Sequence, residues 1–159
     1  MQIIPIKSFP RYTPYMSAEI LKLKNQLCHR LYKTTHAITR AYRPFLTPLG
    51  LTYPQYVVLM SLWEQDDVVI QDLIEHTQID GGSLTQILIK LQQKNWLILA
   101  QDPNDGRKRR VKLTAAGHAL QYEAQQVPEH MICQFQSMSL AEFNQLAHLL
   151  DRLLEDLES

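Results

Sequence analysis

From residue 17 onward, apolar residues recur at helical spacing. Leu27, Leu31, Ile38, Tyr42, Phe45 and Leu49 fall on roughly one stripe. Pro44 should kink or split this helix, because it lacks an N–H donor and crowds the preceding turn. Gly50 closes it. Pro54 then suits the first turn of a second helix, capped by Thr52 or Tyr53 and running through Trp63. A short helix is expected over 70–77, a break over 78–82, and another helix over 83–95. Two short helices around a glycine-containing turn form a helix-turn-helix pattern. The apolar run at 97–100 and the alternating run at 110–114 flank Pro103, Asn104, Asp105 and Gly106, which reads as a β-hairpin. Thr114 should cap a helix reaching about residue 126, interrupted by Pro128. The run from Ser139 to Glu142 has the form of a capping box. After it Phe143, Leu146, Leu150, Leu153 and Leu157 keep a 3,4,3,4 spacing, the seam that helices use to pack on each other.

These elements predict a mainly α fold with a small β-hairpin wing: a winged helix-turn-helix with N- and C-terminal dimerisation helices. The expected divisions are an extended arm over 1–16, helical dimerisation regions over 17–53 and 115–159, and a DNA-binding module over 54–114. The last helix could instead serve the core of one domain. Dimerisation is preferred because the winged module already supplies a core.

Charge sharpens this picture. The chain of 159 residues has no formal net charge. A neutral DNA binder must therefore sort its cations onto one face. Arg107, Lys108, Arg109, Arg110 and Lys112 crowd the hairpin, whereas Asp151, Glu155, Asp156 and Glu158 load the far end. A cationic hairpin tip suits phosphate and groove contact. No apolar run approaches a membrane span. The first residues, broken by Pro5, Pro10 and Pro14, carry no secretory pattern. A cytoplasmic protein is expected. There the two cysteines are more plausibly redox-active, metal-binding or buried than stapled. Cys28, between apolar neighbours, reads as a small buried hydrophobe or as a reactive thiol on the same helix face as Tyr32. His130 and Cys133 have ligand spacing, but two ligands do not make a zinc site. No cofactor is expected. A thiol peroxidase would need a Pro-x-x-x-Thr/Ser-x-x-Cys run, and a serine hydrolase a Gly-x-Ser-x-Gly elbow; neither is present.

The segment DPNDGRKRRVKLTAAG at 102–117 resembles the wing signature of MarR-family transcriptional regulators. NQLCHRLY at 25–32, AITRAYRP at 37–44 and LGLTYPQY at 49–56 resemble the OhrR branch, the repressors of organic hydroperoxide resistance. VPEHMIC at 127–133 is similar to its two-cysteine subtype. Two positions depart from the branch: Gly81-Gly82 opens the reading helix where a serine and a single glycine are usual, and His29 replaces an apolar or aromatic residue. The resemblance implies a homodimer that reads an imperfect palindrome in double-stranded operator DNA. Ser83, Thr85, Gln86 and Lys90, with Gln93 and Lys94 at the helix end, would face the major groove. Gln86 is suited to adenine. Taken singly, Lys90 and Lys94 read better as a solvated helix face. Arg107, Lys108 and Arg109 would contact DNA through the wing, with Asp105 orienting Arg107. The resemblance also implies that Cys28 is oxidised by organic hydroperoxide. Tyr32, Tyr42 and Tyr53 would support its thiolate, and Cys133 of the other subunit would resolve the sulfenic acid as a disulfide. The alternative is a repressor of the same fold released by a small phenolic or lipophilic acid, with Cys28 inert.

Overall fold

The computed structural model describes residues 21–158. The expected arm over 1–16 and the first residues of the expected helix from Ser17 lie outside them. The described chain divides into two units, one holding residues up to Ile38 together with Cys133 onward, the other Thr39–Ile132.

A short 3-10 turn at Leu23–Asn25 precedes α1, which occupies Leu27–Leu46 and so starts at the first residue of the apolar stripe. Pro44 does not split it. Proline sits in the last turn, and the helix ends two residues later. The Thr47 hydroxyl and N–H both return to the carbonyl of Arg43, and Gly50 takes a left-handed φ of 69° to finish the turn. Helix α2, Tyr53–Glu64, begins with Thr52 as N-cap: the Gln55 carboxamide accepts the Thr52 N–H at 3.0 Å. Tyr56, Val58, Leu59 and Leu62 are buried, which makes α2 the central core helix of its unit.

Helix α3 spans Ile70–Thr77, as the spacing predicts, and α4 spans Gly81–Gln93. The glycines lie inside α4 and not in the turn before it. Asp80 is the N-cap, accepting the Ser83 N–H at 2.9 Å, so the helix opens two residues earlier than expected. The left-handed residue between the helices is Gln78, φ 55°. Leu84, Leu88 and Leu91 turn inward at a 4,3 spacing.

Strands β2, Leu97–Gln101, and β3, Arg109–Leu113, pair antiparallel from Leu97 against Leu113 to Gln101 against Arg109. A strand absent from the sequence reading, β1 at Val68–Val69, pairs on the other side of β3, giving the order β1-β3-β2. Helix α5, Ala115–Ala124, is capped by the Thr114 hydroxyl on the Gly117 N–H. Helix α6, Gln126–Ile132, contains Pro128 in its first turn, where the missing donor costs nothing; the break falls at Gln125 instead. One core joins α2 to α5 with Leu46 and Leu51 before them and Val127 after them, so this unit is wider than residues 54–114. In the other unit α7, Leu140–Glu158, opens with the Ser139–Glu142 capping box. Its Phe143, Leu146, Leu150 and Leu157 are exposed in the single chain.

One glycine has no room for a side chain. A Cβ at 117 would stand 2.0 Å from the Trp96 carbonyl oxygen, and the Gly117 carbonyl itself accepts the Trp63 indole N–H at 3.0 Å. Gly117→Ala should destabilise the fold by on the order of 3 kcal/mol, since backbone must move to admit the methyl. Urea titration checks this; an unchanged midpoint would contradict it.

Candidate nucleic-acid interface and thiol pair

With its three leucines inward, α4 exposes Ser83, Thr85, Gln86 and Lys90, followed by Gln93 and Lys94. The side chains of Gln86 and Lys90 have no hydrogen-bond partner among the described residues and remain open to a ligand. The Thr85 hydroxyl is turned back onto the Gly81 carbonyl at 2.7 Å, which leaves its methyl as the outward group. Lys94 is committed within the chain, donating to the Gly50 carbonyl and lying 4.7 Å from the centre of the Trp96 ring. A cleft of about 710 Å³ runs beside α4, with Pro54, Gln78 and Asp80 on one side and Ser83, Gln86 and Lys90 on the other.

The wing sorts its cations. Arg110 donates from Nε to Asp67 Oδ1 at 2.7 Å, from one terminal nitrogen to Asp102 Oδ2 at 3.0 Å, and from the other to the Asp67 carbonyl. Lys112 reaches Asp67 at 3.8 Å. These two cations therefore serve the fold, unlike the other cations of the hairpin, Arg107, Lys108 and Arg109, which are exposed. Asp102, only 8% exposed, also accepts the N–H groups of Asn104 and Asp105 at 2.8 and 3.0 Å. Asp105 in turn takes the Arg107 Nε at 3.2 Å and the Arg107 N–H at 3.1 Å, while the Arg107 side chain stays 91% exposed. Lys108 and Arg109 are exposed and have no salt-bridge partner among the described residues. A chain of polar contacts thus runs from Asp67 through Arg110 and Asp102 to Asp105 and the tip arginine.

The electrostatics follow the contacts. The Arg110 guanidinium holds the Asp67 carboxyl below the usual carboxylate range. Asp102 is lowered first by the Asn104 N–H and then by Arg110, and Asp105 is lowered by Arg107. Arg110 is raised in return by Asp67 and Asp102. Neither Asp67 nor Asp102 figures as a functional residue in the sequence reading. Asp102, three residues before Asp105 at the mouth of a turn, carries the signal of an Asx turn that could have marked it.

Both thiols are free and exposed, Cys28 in the first turn of α1 and Cys133 just beyond α6. In the single chain Cys28 is not part of the buried core. Tyr32, in the same unit, is exposed and packs edge-on against His36 at 4.3 Å between ring centres. Tyr42 and Tyr53 lie in the other unit, 4.9 Å apart, with Tyr56 6.1 Å from Tyr42. Burial raises the hydroxyls of Tyr42 and Tyr56, so they stay protonated donors. A groove of about 440 Å³ beside them is lined by Thr39, Arg40, Arg43 and Tyr53 among others. Among the described residues no cluster of three or more metal-ligating side chains occurs, and no helix is long and apolar enough to cross a membrane.

Residues 51–108 match the MarR family. The chain is 34% identical over 137 residues to the organic hydroperoxide resistance transcriptional regulator of Bacillus subtilis, covering 86% of this chain and 92% of that protein. Among solved structures it resembles reduced AbfR bound to DNA, with a TM-score of 0.73 and 26% identity over 88% of this chain and 95% of that one. It also resembles a cysteine-to-serine mutant of MarR from Escherichia coli complexed with operator DNA, with a TM-score of 0.75 and 28% identity over 80% and 93%.

Because their folded pKa values are lowered, Asp67, Asp102 and Asp105 add stability above the usual carboxylate range and lose it as pH falls through those lower values. Neutral pH lies outside that window. Asp67→Asn should therefore speed amide exchange across residues 102–108 at pH 7. In the unaltered protein, the same loosening should appear only below about pH 4. Exchange rates in the variant equal to the parent's at pH 7 would show that the wing does not depend on this carboxylate.

Proposed function

Because the chain belongs to the MarR family of transcriptional regulators, we propose that it binds operator DNA as a homodimer and is released when organic hydroperoxide oxidises Cys28. The observation that carries the redox half is the exposed Cys28 thiol in a chain similar over 86% of its length to an organic hydroperoxide regulator. In the DNA-bound dimer, α4 enters the major groove with Ser83, Gln86 and Lys90 toward base edges and phosphates, and the outward Thr85 methyl suits a thymine methyl. Arg107, Lys108 and Arg109 follow the flanking backbone or minor groove. The exposed apolar stripe of α7 supports a dimer, since a seam of that kind is covered by another helix.

The switch is stoichiometric chemistry and not turnover. The Cys28 thiolate attacks the terminal peroxide oxygen, the O–O bond breaks, and the alkoxide leaves as an alcohol after taking a proton. The product is a sulfenic acid. The Cys133 thiolate of the other subunit then attacks that sulfur, a disulfide forms, and hydroxide leaves as water. A disulfide holds its Cα atoms within about 7 Å, so its formation moves the segments that carry Cys28 and Cys133. Tyr32, Tyr42 and Tyr53 act as hydroxyl donors to the Cys28 thiolate in the assembled dimer. Such a regulator works in the cytoplasm, where thiols are kept reduced.

A second reading is favoured by the groove beside Arg40, Arg43 and Tyr53. Two guanidinium groups with an aromatic wall suit a small phenolic or lipophilic acid, whose binding would release DNA with Cys28 inert.

Cys28→Ser should keep full operator affinity and lose all response to cumene hydroperoxide in a gel-shift assay. Cys133→Ser should still respond at Cys28, but intact mass should show a sulfenic acid or mixed disulfide in place of a cross-linked dimer. Release of DNA from the Cys28→Ser protein by peroxide would refute the redox assignment; release by an aromatic acid would support the second reading.

The wing is tested separately. Log affinity should fall linearly with log salt, and Lys108→Ala should reduce that slope by about 1, one phosphate contact. Arg107→Ala should lower operator affinity about 5- to 100-fold. Unchanged binding in both variants would remove the wing from the interface.

A further inference from the structure

Lys94 is the cation whose position does not fit a DNA contact. We propose that Lys94 is a positioning residue that couples the end of α1, the helix carrying Cys28, to the DNA-reading helix α4; the proposal rests on the redox reading above.

Lys94 is the C-cap of α4. Its ammonium donates to the Gly50 carbonyl, in the turn that finishes α1. That turn follows the C-terminal end of a 20-residue helix, the end at which the helix dipole places partial negative charge. The ammonium forms no salt bridge among the described residues; its partners are this carbonyl and the face of Trp96 at 4.7 Å. Gly50 fits closely beneath: a Cβ there would stand 3.7 Å from both the Lys94 Nζ and the Trp96 ring.

Trp96 extends the contact further. Its N–H closes α4 on the Leu91 carbonyl, and its carbonyl accepts the Thr114 N–H at 3.0 Å. The same carbonyl leaves no room for a side chain at Gly117 in α5. One ammonium therefore joins the end of α1 to the residue that fixes the end of α4, the base of the β2–β3 pair and the start of α5. Leu46 and Leu51 also connect α1 to the core, but apolar contacts are non-directional and admit sliding. The hydrogen bond to Gly50 is directional and sets the register of the two helix ends. When oxidation displaces α1, this tie carries the displacement to α4.

The test measures operator affinity, reduced and after cumene hydroperoxide, for the full-length protein, Lys94→Met and Lys94→Arg, each at several salt concentrations. Lys94→Met should melt cooperatively as a dimer and keep the parent's salt slope, while the ratio of reduced to oxidised affinity shrinks at least about fivefold. Lys94→Arg, which can reach the same carbonyl and ring, should restore the ratio. If Lys94→Met does not fold, Lys94→Leu, which likewise removes the donor, carries the same comparison. A salt slope reduced by about 1 with the ratio intact would overturn the proposal, because Lys94 would then be a phosphate contact. A ratio equal to the parent's in a folded variant would overturn it as well. A parent protein that does not respond to peroxide would instead fail the redox reading, and the coupling with it.

Discussion

Arg110 is a half-buried cation shared between two carboxylates, and the geometry of the wing depends on it. Its guanidinium spans Asp67, at the corner before β1, and Asp102, at the mouth of the wing loop. Planar, forked donors suit such a site, and a lysine could not bridge both acids in the same way. Removing Arg110 would leave the Asp102 carboxylate, only 8% exposed, without its cation, a larger cost than the net worth of the bond it loses. The network therefore behaves as a unit. Through Asp102 it also fixes the N–H groups of Asn104 and Asp105, and through Asp105 the tip arginine. A loop that would otherwise be loose becomes a preformed contact surface, which lowers the ordering cost of binding.

The same constraint explains how a chain without net charge presents a basic face. Asp66, Asp67 and Asp102 are spent inside the winged unit, on Arg110, Lys112, His118 and backbone N–H groups. Lys108 and Arg109, with Lys90 on α4, keep their charge outward. Function thus lies less in the number of cations than in which of them the acids leave free. Lys94 is removed from the outward set in another way, by a carbonyl and an indole.

Much of this fold was legible in the chain because its signals are local. The apolar period places α3 at Ile70–Thr77, and Thr114 and the Ser139–Glu142 box mark helix starts through hydrogen bonds to the next turn. Gly81 and Gly82 misled because glycine usually breaks a helix, yet the Asp80 cap outweighs that preference in the first turn. Pro128 misled in the opposite sense, since a first-turn proline begins a helix as readily as it ends one. Strand β1 was invisible: two valines carry no alternation, and their partner β3 is some 40 residues away. Arg110 and Lys94 looked like surface cations for the same reason. Their partners, Asp67 and Gly50, are 43 and 44 residues distant in sequence, and no local pattern reports such a pairing. The exposed thiols and the tyrosine cluster were legible as residues, whereas the proposed meeting across a dimer would be set by the assembly, which no local pattern reports.

The most direct measurement is a double-mutant cycle on operator affinity between Asp67→Asn and Arg107→Ala. Asp67 makes no contact with Arg107 in the structure; it acts on the tip only through Arg110 and Asp102. If the network positions the tip arginine, the two losses overlap, and the double variant should bind scarcely more weakly than Arg107→Ala alone. A double variant whose loss equals the product of the two single losses would mean that Asp67 and Arg107 act independently, and that the wing's geometry is not set by the Asp67–Arg110–Asp102 network.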